Sequence, residues 1–329
     1  MRTGSLAALG VVLLAALAVG SVAVAPGDVL GAILRGLQGQ VEQASDVIVW
    51  QVRAPRVLLA AVTGAALALA GSAYQAVFRN PLADPYLLGA ASGAGFGAAV
   101  TIVYGASVTW LATLGVPTVA FVTALVTVSL AVLMARVGGT LPTVSLILAG
   151  VVLGSSLSAG TSFVMLADQE RTAGVLAWLL GSFAFANWRD VLVLVTILVL
   201  AIPAGLAARR AFDLMLVGEA SAKQLGLPVE RFKWLVVVIA TLLTAAAVSV
   251  AGVIGFVGLV VPHAVRLAVG PEHRELIPLS ILWGAAFLVL ADLAARTVLA
   301  PAELPVGVVT SLVGGPFFLI LLRRSRMRA

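Results

Sequence analysis

Long apolar stretches recur from one end of the chain to the other, and they constrain its fold more than any other feature. A helix that crosses a bilayer needs about 20 predominantly apolar residues. Hydrophobic residues make up 61% of the 329 residues, and charged residues only 10%. No polar segment is long enough for a separate soluble domain, so the sequence predicts one all-α polytopic membrane domain over residues 1–329. The stretches lack the short alternation of apolar and polar residues that is typical of a transmembrane barrel.

The positions of the basic residues predict how often the chain crosses the membrane. The loop 209–233 and the tail from Arg323 to Arg328 are rich in Arg and Lys, and the positive-inside rule assigns both to the cytoplasm. An even number of crossings must separate them, so region 234–270 must cross twice, with a break at Gly252-Val253-Ile254-Gly255. This predicts ten transmembrane helices per subunit, with both termini cytoplasmic. The predicted spans are approximately 6–25, 57–78, 87–105, 108–135, 144–167, 191–208, 234–251, 255–270, 276–300 and 306–322.

The first stretch has a second interpretation. Arg2 precedes it and small residues lie near its end, a pattern that also occurs in cleaved signal peptides. We favour an uncleaved span, because about 20 apolar residues exceed the roughly 7–15 of a signal-peptide core.

The composition excludes several kinds of chemistry. The chain has no cysteine and only two histidines, so we predict neither a metal site nor a catalytic residue. Neither Lys223 nor Lys233 follows a glycine, as the phosphate-binding loop of ATPases requires, and we expect no cofactor in this chain. The net charge of +6 reports membrane topology rather than nucleic-acid binding.

Asp292 is the exception among spans that are otherwise nearly empty of charge. Arg296 lies four residues further on, so the two side chains share a helix face. We interpret them as a structural ion pair near the outer interface. The alternative is a proton site in a secondary transporter that acts alone. The scarcity of other charges in the spans favours an energy source outside this polypeptide.

Three arginines are predicted to meet on the outer side of the membrane. Arg53 and Arg56 stand three residues apart at the entrance of the second span, and Arg296 ends the ninth span on the same side. Such a ring is suited to docking an acidic partner through paired carboxylates. Ordinary anchoring of arginine at the interface is the alternative.

The cytoplasmic loop 209–233 contains a short amphipathic segment, 217–226. Glu219 and Lys223 stand four residues apart, which predicts an ion pair, and Gly226 with Pro228 predicts the end of the helix. The segment is a connector, a lipid-surface helix or a docking element for a cytosolic subunit. Its modest basic charge makes the lipid-surface role the weakest of the three.

Several motifs, taken in order and spacing, resemble a known family. They are RAPR at 53–56, GAALALAG at 64–71, Gln75 with RNPLADP at 79–85, LILAG at 146–150, VGEASAKQLG at 217–226, GFVGLVVPHAVR at 255–266, HRELIPLS at 273–280, Asp292 with Arg296, and ELPVGVVTSLVGGPFF at 303–318. Over essentially its whole length the chain resembles the permease subunits of ABC importers for ferric siderophores, haem and cobalamin.

This resemblance implies a set of partners. It implies a homodimer in the bacterial inner membrane with a translocation path on the dimer axis. Two cytosolic ATP-binding subunits would hold ATP and Mg, and an extracytoplasmic substrate-binding protein would deliver the cargo. Membrane lipid is the remaining partner, and no nucleic acid is expected. Ferric siderophore is the first expected cargo, followed by haem and cobalamin, and the spans offer no ligand cluster for a free metal ion.

The resemblance also implies roles for individual residues. By similarity, Arg53, Arg56 and Arg296 would dock the binding protein. The coupling helix that contacts the ATPase would contain Val217, Gly218, Glu219, Ala222, Lys223, Leu225 and Gly226. Asn80, Leu82, Thr143 and Ser145 would line and gate the path, although Pro142 departs from the family pattern. His263 and Arg266 would be structural.

Overall fold

The computed structural model describes residues 1–20 and 22–326, so the predicted cytoplasmic Arg328 lies outside the described residues. This part of the chain is helical apart from loops, turns and one isolated β-bridge between Val137 and Thr140. The helices are α1 (Arg2–Ala18), α2 (Pro26–Leu37), α3 (Ala44–Asp46), α4 (Ala54–Val77), α5 (Ala90–Tyr104), α6 (Thr109–Ala135), α7 (Thr143–Ala167), α8 (Thr172–Leu179), α9 (Trp188–Ala207), α10 (Arg209–Val217), α11 (Glu219–Gln224), α12 (Val229–Ala251), α13 (Val257–Val269), α14 (His273–Thr297) and α15 (Val306–Arg326).

Each of the ten predicted apolar stretches coincides with a helix. In a bilayer every backbone N–H and C=O group must find a partner within the protein, and an apolar helix meets this need along its own axis. Six helical segments are long and apolar enough to cross a membrane. Four more apolar helices are shorter; these are Arg2–Ala18, Ala90–Tyr104, Val257–Val269 and Val306–Ile320. The fold of the described residues therefore confirms an all-helical polytopic protein, while the count of ten crossings stays a prediction.

The predicted first span is too long at its C-terminal end. Helix α1 stops at Ala18, because Val19 adopts an extended conformation. A separate helix, α2, then begins with Pro26 in its first turn, where a missing N–H costs nothing. This helix was missed in the sequence because its apolar residues form one face rather than a long run.

The second predicted span begins earlier than expected. A continuous helical segment of 34 residues runs from Ala44 to Val77. It includes the π-helical turns Val47–Arg53, which precede Pro55, a residue with no N–H to donate to the preceding turn.

Helix α4 forms the centre of the bundle and packs against α9, α12, α13 and α14. Small residues allow these close approaches. A Cβ on Gly64 would lie 2.1 Å from the carbonyl oxygen of Gly284, and a Cβ on Gly71 would lie 1.9 Å from that of Gly258. Since lipid offers no hydrophobic driving force for association, close backbone packing stabilises such a bundle.

The predicted break in region 234–270 is confirmed. Helix α12 ends at Ala251, and α13 begins at Val257 after a non-helical segment. Gly252 has a φ of 72°, which favours glycine, and the side chain of Phe256 is accommodated at a φ of 69°. The Tyr86 hydroxyl donates to the carbonyl of Ile254 at 3.0 Å and fixes this segment against the loop that follows α4.

Candidate functional site

Arg53 and Arg296 bond to the C-terminal end of α1. Arg53 donates from Nη1 to the carbonyls of Leu17 and Ala18 at 2.8 and 2.9 Å, and from Nη2 to that of Val22. Arg296 donates from Nη2 to the carbonyl of Ala16. The last carbonyls of a helix have no partner within that helix, so the two guanidinium groups cap α1.

Arg56 binds two carboxylates. Its Nε lies 3.0 and 3.1 Å from the two carboxylate oxygens of Asp292, and its Nη2 lies 2.9 Å from Oδ1. Its Nη1 donates to Glu303 Oε1 at 3.0 Å. In the predicted pair of Asp292 and Arg296, the distance from Arg296 Nε to Asp292 Oδ2 is longer, at 3.7 Å. Arg56 is therefore the main partner of Asp292, and this pairing was missed in the sequence.

The three predicted docking arginines lie near one another within this chain, whereas the ring that they would form in a dimer stays a prediction. Arg53, Arg56 and Arg296 are 5%, 8% and 8% exposed, and each bonds to groups of this chain. Glu303 is the solvent-facing member of the network, with a side chain 43% exposed. Docking of a binding protein by these arginines stays a prediction, and in this arrangement an incoming carboxylate would have to compete with Glu303 for Arg56.

The loop after α4 is held in place by polar side chains from two helices. Arg266 of α13 donates to Gln75 Oε1 at 3.0 Å, and Gln75 Nε2 donates to the carbonyls of Gly258 and Leu259 at 3.3 and 3.2 Å. Asn80 begins the turn, and its backbone N–H donates a hydrogen bond to the Gln75 carbonyl at 3.1 Å. Arg266 thus has the structural role expected from the sequence.

Asn80 and Leu82, the predicted gate residues, both lie on the exposed side of this loop. Asn80 Oδ1 accepts a hydrogen bond from the Leu82 N–H at 2.9 Å, which stabilises the turn, and Leu82 is 38% exposed. The other two gate residues, Thr143 and Ser145, are half-buried in the first turn of α7, directly after Pro142.

An open cleft lies between this loop, α5 and the exposed face of α7; its lining is mostly apolar and includes several hydroxyl groups. Ser92, Ser155 and Ser158 line it together with glycines, and Ser158 contacts Ser92 through their hydroxyl oxygens at 3.4 Å. Asp84 also lines it and accepts the Tyr86 N–H at 2.8 Å. Burial raises the pKa of Asp84 to about 6 from its ordinary 3.8, although the bond from Tyr86 opposes the change.

The predicted coupling segment forms a protrusion built from α10 and α11. Gly218 joins the two helices at a φ of 120°, and Gly226 ends the turn after α11 at a φ of 89°, as the sequence predicted. Val217 and Leu225 are 67% and 65% exposed, whereas Ala222 is fully buried beneath them. The protrusion therefore presents apolar side chains outside the membrane-spanning helices.

The predicted ion pair of Glu219 with Lys223 does not form. Glu219 Oε1 instead accepts from Lys233 Nζ of α12 at 3.2 Å. Lys223 is exposed at the C-terminal end of α11. Lys233 is 3% exposed and lies within 3.9 Å of Glu230 as well.

Glu230 extends this chain of contacts to α7. Its Oε2 accepts the backbone N–H of Leu141 at 2.8 Å, two residues before α7 begins at Thr143. The contacts thus run from Glu219 through Lys233 and Glu230 to the start of the helix that carries the predicted gate. We call this set the Lys233 relay.

Residues 8–324 match the FecCD transport family. The chain belongs to the FecCD transport family. The cobalamin import system permease protein BtuC of Halobacterium salinarum is 43% identical over 293 residues, which are 89% of this chain and 78% of that protein. The hemin transport system permease protein HmuU of Yersinia pestis is 40% identical over 282 residues, 84% of each chain.

A solved ABC transporter structure is also similar to this FecCD family member. It is described as a metal-chelate type ABC transporter in an inward-facing conformation, and it is 30% identical to this chain. The two superpose with a TM-score of 0.85 over 98% of each chain. The resemblance inferred from the motifs is confirmed: the chain is an ABC-type permease component, a multi-pass protein of the inner membrane.

Three residues of this FecCD family member were missed as candidates in the sequence: Glu303, Lys233 and Glu230. Each also has a partner further along the chain, namely Arg56 for Glu303, Glu219 for Lys233 and Leu141 for Glu230, and helical spacing cannot show these pairings. A weak signal existed for Lys233, since a lysine at the start of a long apolar helix requires a carboxylate partner when it is buried.

Proposed function

We propose that this chain is the permease subunit of an ATP-driven importer that moves a bulky metal chelate across the inner membrane. The subunit has ten crossings with both termini in the cytoplasm and works as a homodimer. The observation that carries the proposal is the serine-lined cleft on the exposed face of α7 in a chain of the FecCD family. A wide path without tight ligands is suited to a cargo that a separate binding protein selects.

The exposed face of α7 supports the homodimer. Ser155, Ser158 and Ser162 are all exposed on it, at helical spacing. Ser162 donates to the Ser158 carbonyl at 3.1 Å and Ser158 contacts Ser92, so Ser155 is the member of this set with a hydroxyl that would gain most from a protein partner or water. A second copy packed around this face would place the cleft at the subunit interface, where a path on the dimer axis would run.

On this proposal, the cargo is a macrocyclic metal chelate. Two of the relatives are named for cobalamin and for hemin, and these names favour a corrinoid or haem ahead of a ferric siderophore. The choice between them belongs to the binding protein rather than to this chain.

Coupling to the ATPase runs through the protrusion of α10 and α11. Leu216, Val217 and Leu225 are exposed there, and outside the membrane such residues favour contact with another protein. The ATPase subunits bind ATP and Mg, and their closure moves the protrusion. The Lys233 relay carries that movement to Leu141 and hence to the start of α7.

The outer arginines receive the binding protein by exchange of carboxylates. Glu303 forms a salt bridge with Arg56 when no binding protein is docked. An acidic residue of the binding protein then replaces Glu303 as the partner of Arg56. Arg53 and Arg296 remain bound to α1 and hold the network in position.

A secondary transporter that uses Asp292 as a proton site has little support. Asp292 is 1% exposed and holds Arg56 through both of its oxygens, as a structural ion pair does.

Co-purification from the native membrane tests the proposal. We expect an ATP-binding subunit in a one-to-one ratio with this chain, measured by mass spectrometry of the intact complex. The variant Val217→Asp with Leu225→Asp should lose that subunit and keep the dimer, since a carboxylate in an apolar contact is costly. A chain that purifies alone from gently solubilised membranes contradicts the proposal.

A further inference from the structure

A long groove lies on the exposed apolar surface between α6 and α12. The groove is open on one side, and the space in it and over it is about 970 Å³. Leu133 on one wall is 67% exposed, and Trp234 on the other is 52% exposed. The groove is separate from the serine-lined cleft on α7, and the proposed transport mechanism does not use it.

The two walls are regular helical faces. On α6, Leu125, Ser129, Val132 and Arg136 follow one another at spacings of three and four residues, which places them on one face. On α12, Trp234, Val238 and Thr241 follow at spacings of four and three, and Leu242 lies four residues after Val238. From Leu125 to Arg136 the groove runs about 16 Å at the rise of an α-helix. This length equals about half of the 30 Å hydrocarbon core, or the acyl region of one leaflet.

The cytoplasmic end of the groove is cationic. Arg136, which lines the groove, follows the last residue of α6 and is exposed. Arg231 precedes Trp234 by three residues on α12 and is exposed too; it lines the neighbouring cavity that Glu219, Lys223 and Glu230 also line. Neither arginine forms an ion pair with any residue in 1–20 and 22–326. The nearby carboxylate of Glu230 is directed to Leu141 and Lys233.

Trp234 marks the depth of this end in the membrane. An indole ring combines a large apolar surface with one N–H donor, so tryptophans concentrate where acyl chains meet headgroups. The cationic end and Trp234 together place two guanidinium groups at the level of lipid phosphates, with an apolar channel leading from them toward the bilayer centre.

We propose that this groove binds an anionic phospholipid of the cytoplasmic leaflet. One acyl chain lies between α6 and α12, and the phosphate pairs with Arg136 and Arg231. The lipid thereby fills the space between α6 and α12, near the bond that the Leu141 N–H, in the loop between α6 and α7, donates to Glu230. This inference does not depend on the cargo or on the ATPase partner.

Quenching of Trp234 tests the proposal at the site itself. The full-length protein is placed in nanodiscs of phosphatidylcholine that contain rising fractions of a lipid with brominated acyl chains, either phosphatidylglycerol or phosphatidylcholine. The signal of Trp234 is obtained by subtracting a Trp234→Phe variant measured in parallel. We expect the fraction of brominated lipid that gives half-maximal quenching to be lower for phosphatidylglycerol than for phosphatidylcholine, by about fivefold for each arginine near the surface.

Two variants separate the charge from the groove. Arg136→Gln with Arg231→Gln should remove the preference for phosphatidylglycerol, whereas the control Arg209→Gln with Arg210→Gln, which removes equal charge from exposed cytoplasmic residues outside the groove, should keep it. Ser129→Phe should fill the groove and weaken quenching by both lipids. Equal quenching by the two lipids in the unmodified protein overturns the proposal. Absence of any quenching of Trp234 also overturns it, because protein rather than lipid would then cover the groove.

Discussion

Arg56 and Asp292 lie 236 residues apart in the sequence, yet Arg56 Nε bonds both carboxylate oxygens of Asp292, and Nη2 lies 2.9 Å from Oδ1. Their side chains are 10% and 2% exposed. The pair joins the first turn of α4 to the C-terminal part of α14. Because both charges are buried, removing Asp292 leaves Arg56 with the half-exposed Glu303 as its remaining carboxylate and leaves Arg296 without its carboxylate partner.

Asp292→Asn should therefore lower the free energy of unfolding by about 3–5 kcal/mol, the cost of breaking a buried pair. The loss is measured by thermal unfolding in detergent. Asp28→Asn is the control, since Asp28 is exposed on the outer helix α2, and it should cost less than about 1 kcal/mol. Full stability of Asp292→Asn combined with complete loss of uptake would contradict the structural role and favour a proton site.

Glu303→Gln tests the docking role of Arg56. The substitution keeps the shape of the side chain and removes the charge that occupies Arg56. We expect the binding protein to bind more tightly, by up to about fivefold, which corresponds to one exposed ion pair. The gain should shrink at high salt. Affinity is measured with the purified binding protein at two ionic strengths, and Glu42→Gln, on the same outer side, is the control. Unchanged or weaker affinity for Glu303→Gln would remove the docking assignment.

Lys233→Met should separate ATP hydrolysis from transport. Without the ammonium group, Glu219 loses its partner on α12, and movement of the protrusion no longer reaches Glu230 and Leu141. We expect the ratio of cargo imported to ATP hydrolysed to fall by about fivefold or more, the lower end of typical allosteric coupling. Lys233→Arg should restore part of the ratio, and Arg274→Gln, an exposed cytoplasmic control, should leave it unchanged. A normal ratio in Lys233→Met would exclude the relay.

Asp84 should make stability depend on pH. Its pKa is raised to about 6, so the fold favours the protonated carboxyl group. The stabilising contribution is present below the ordinary value of 3.8 and is lost as the pH rises through about 6. Asp84→Asn keeps an acceptor for the Tyr86 N–H but does not titrate. The stability of the variant relative to the unmodified protein should increase between pH 4.5 and pH 7.5, by at most about 3 kcal/mol. A difference that is constant across this range would contradict the assignment.

The sequence predicted the features that depend on local patterns. Runs of apolar residues predicted where helices lie, and the glycines at 252 and 255 predicted the break between α12 and α13. Gly226 predicted the end of the coupling segment for the same reason, since its φ of 89° is unfavourable for other residues.

The sequence could not show contacts made across the bundle. The spacing of Glu219 and Lys223 predicted a pair, but the buried Lys233 of a neighbouring helix competes for the same carboxylate. The roles of Arg53 and Arg296 as caps of α1 depend on carbonyl groups that only the tertiary fold brings near. Helix α2 was missed because one apolar face, without a long apolar run, does not resemble a span.

ATP-dependent uptake in proteoliposomes tests the central claim most directly. The complex that co-purifies with this chain is reconstituted with its binding protein and a corrinoid or haem cargo, and uptake is measured with ATP on the cytoplasmic side or with a proton gradient alone. We predict uptake that requires ATP and the binding protein and is indifferent to the gradient. Uptake driven by the gradient without ATP would contradict the account.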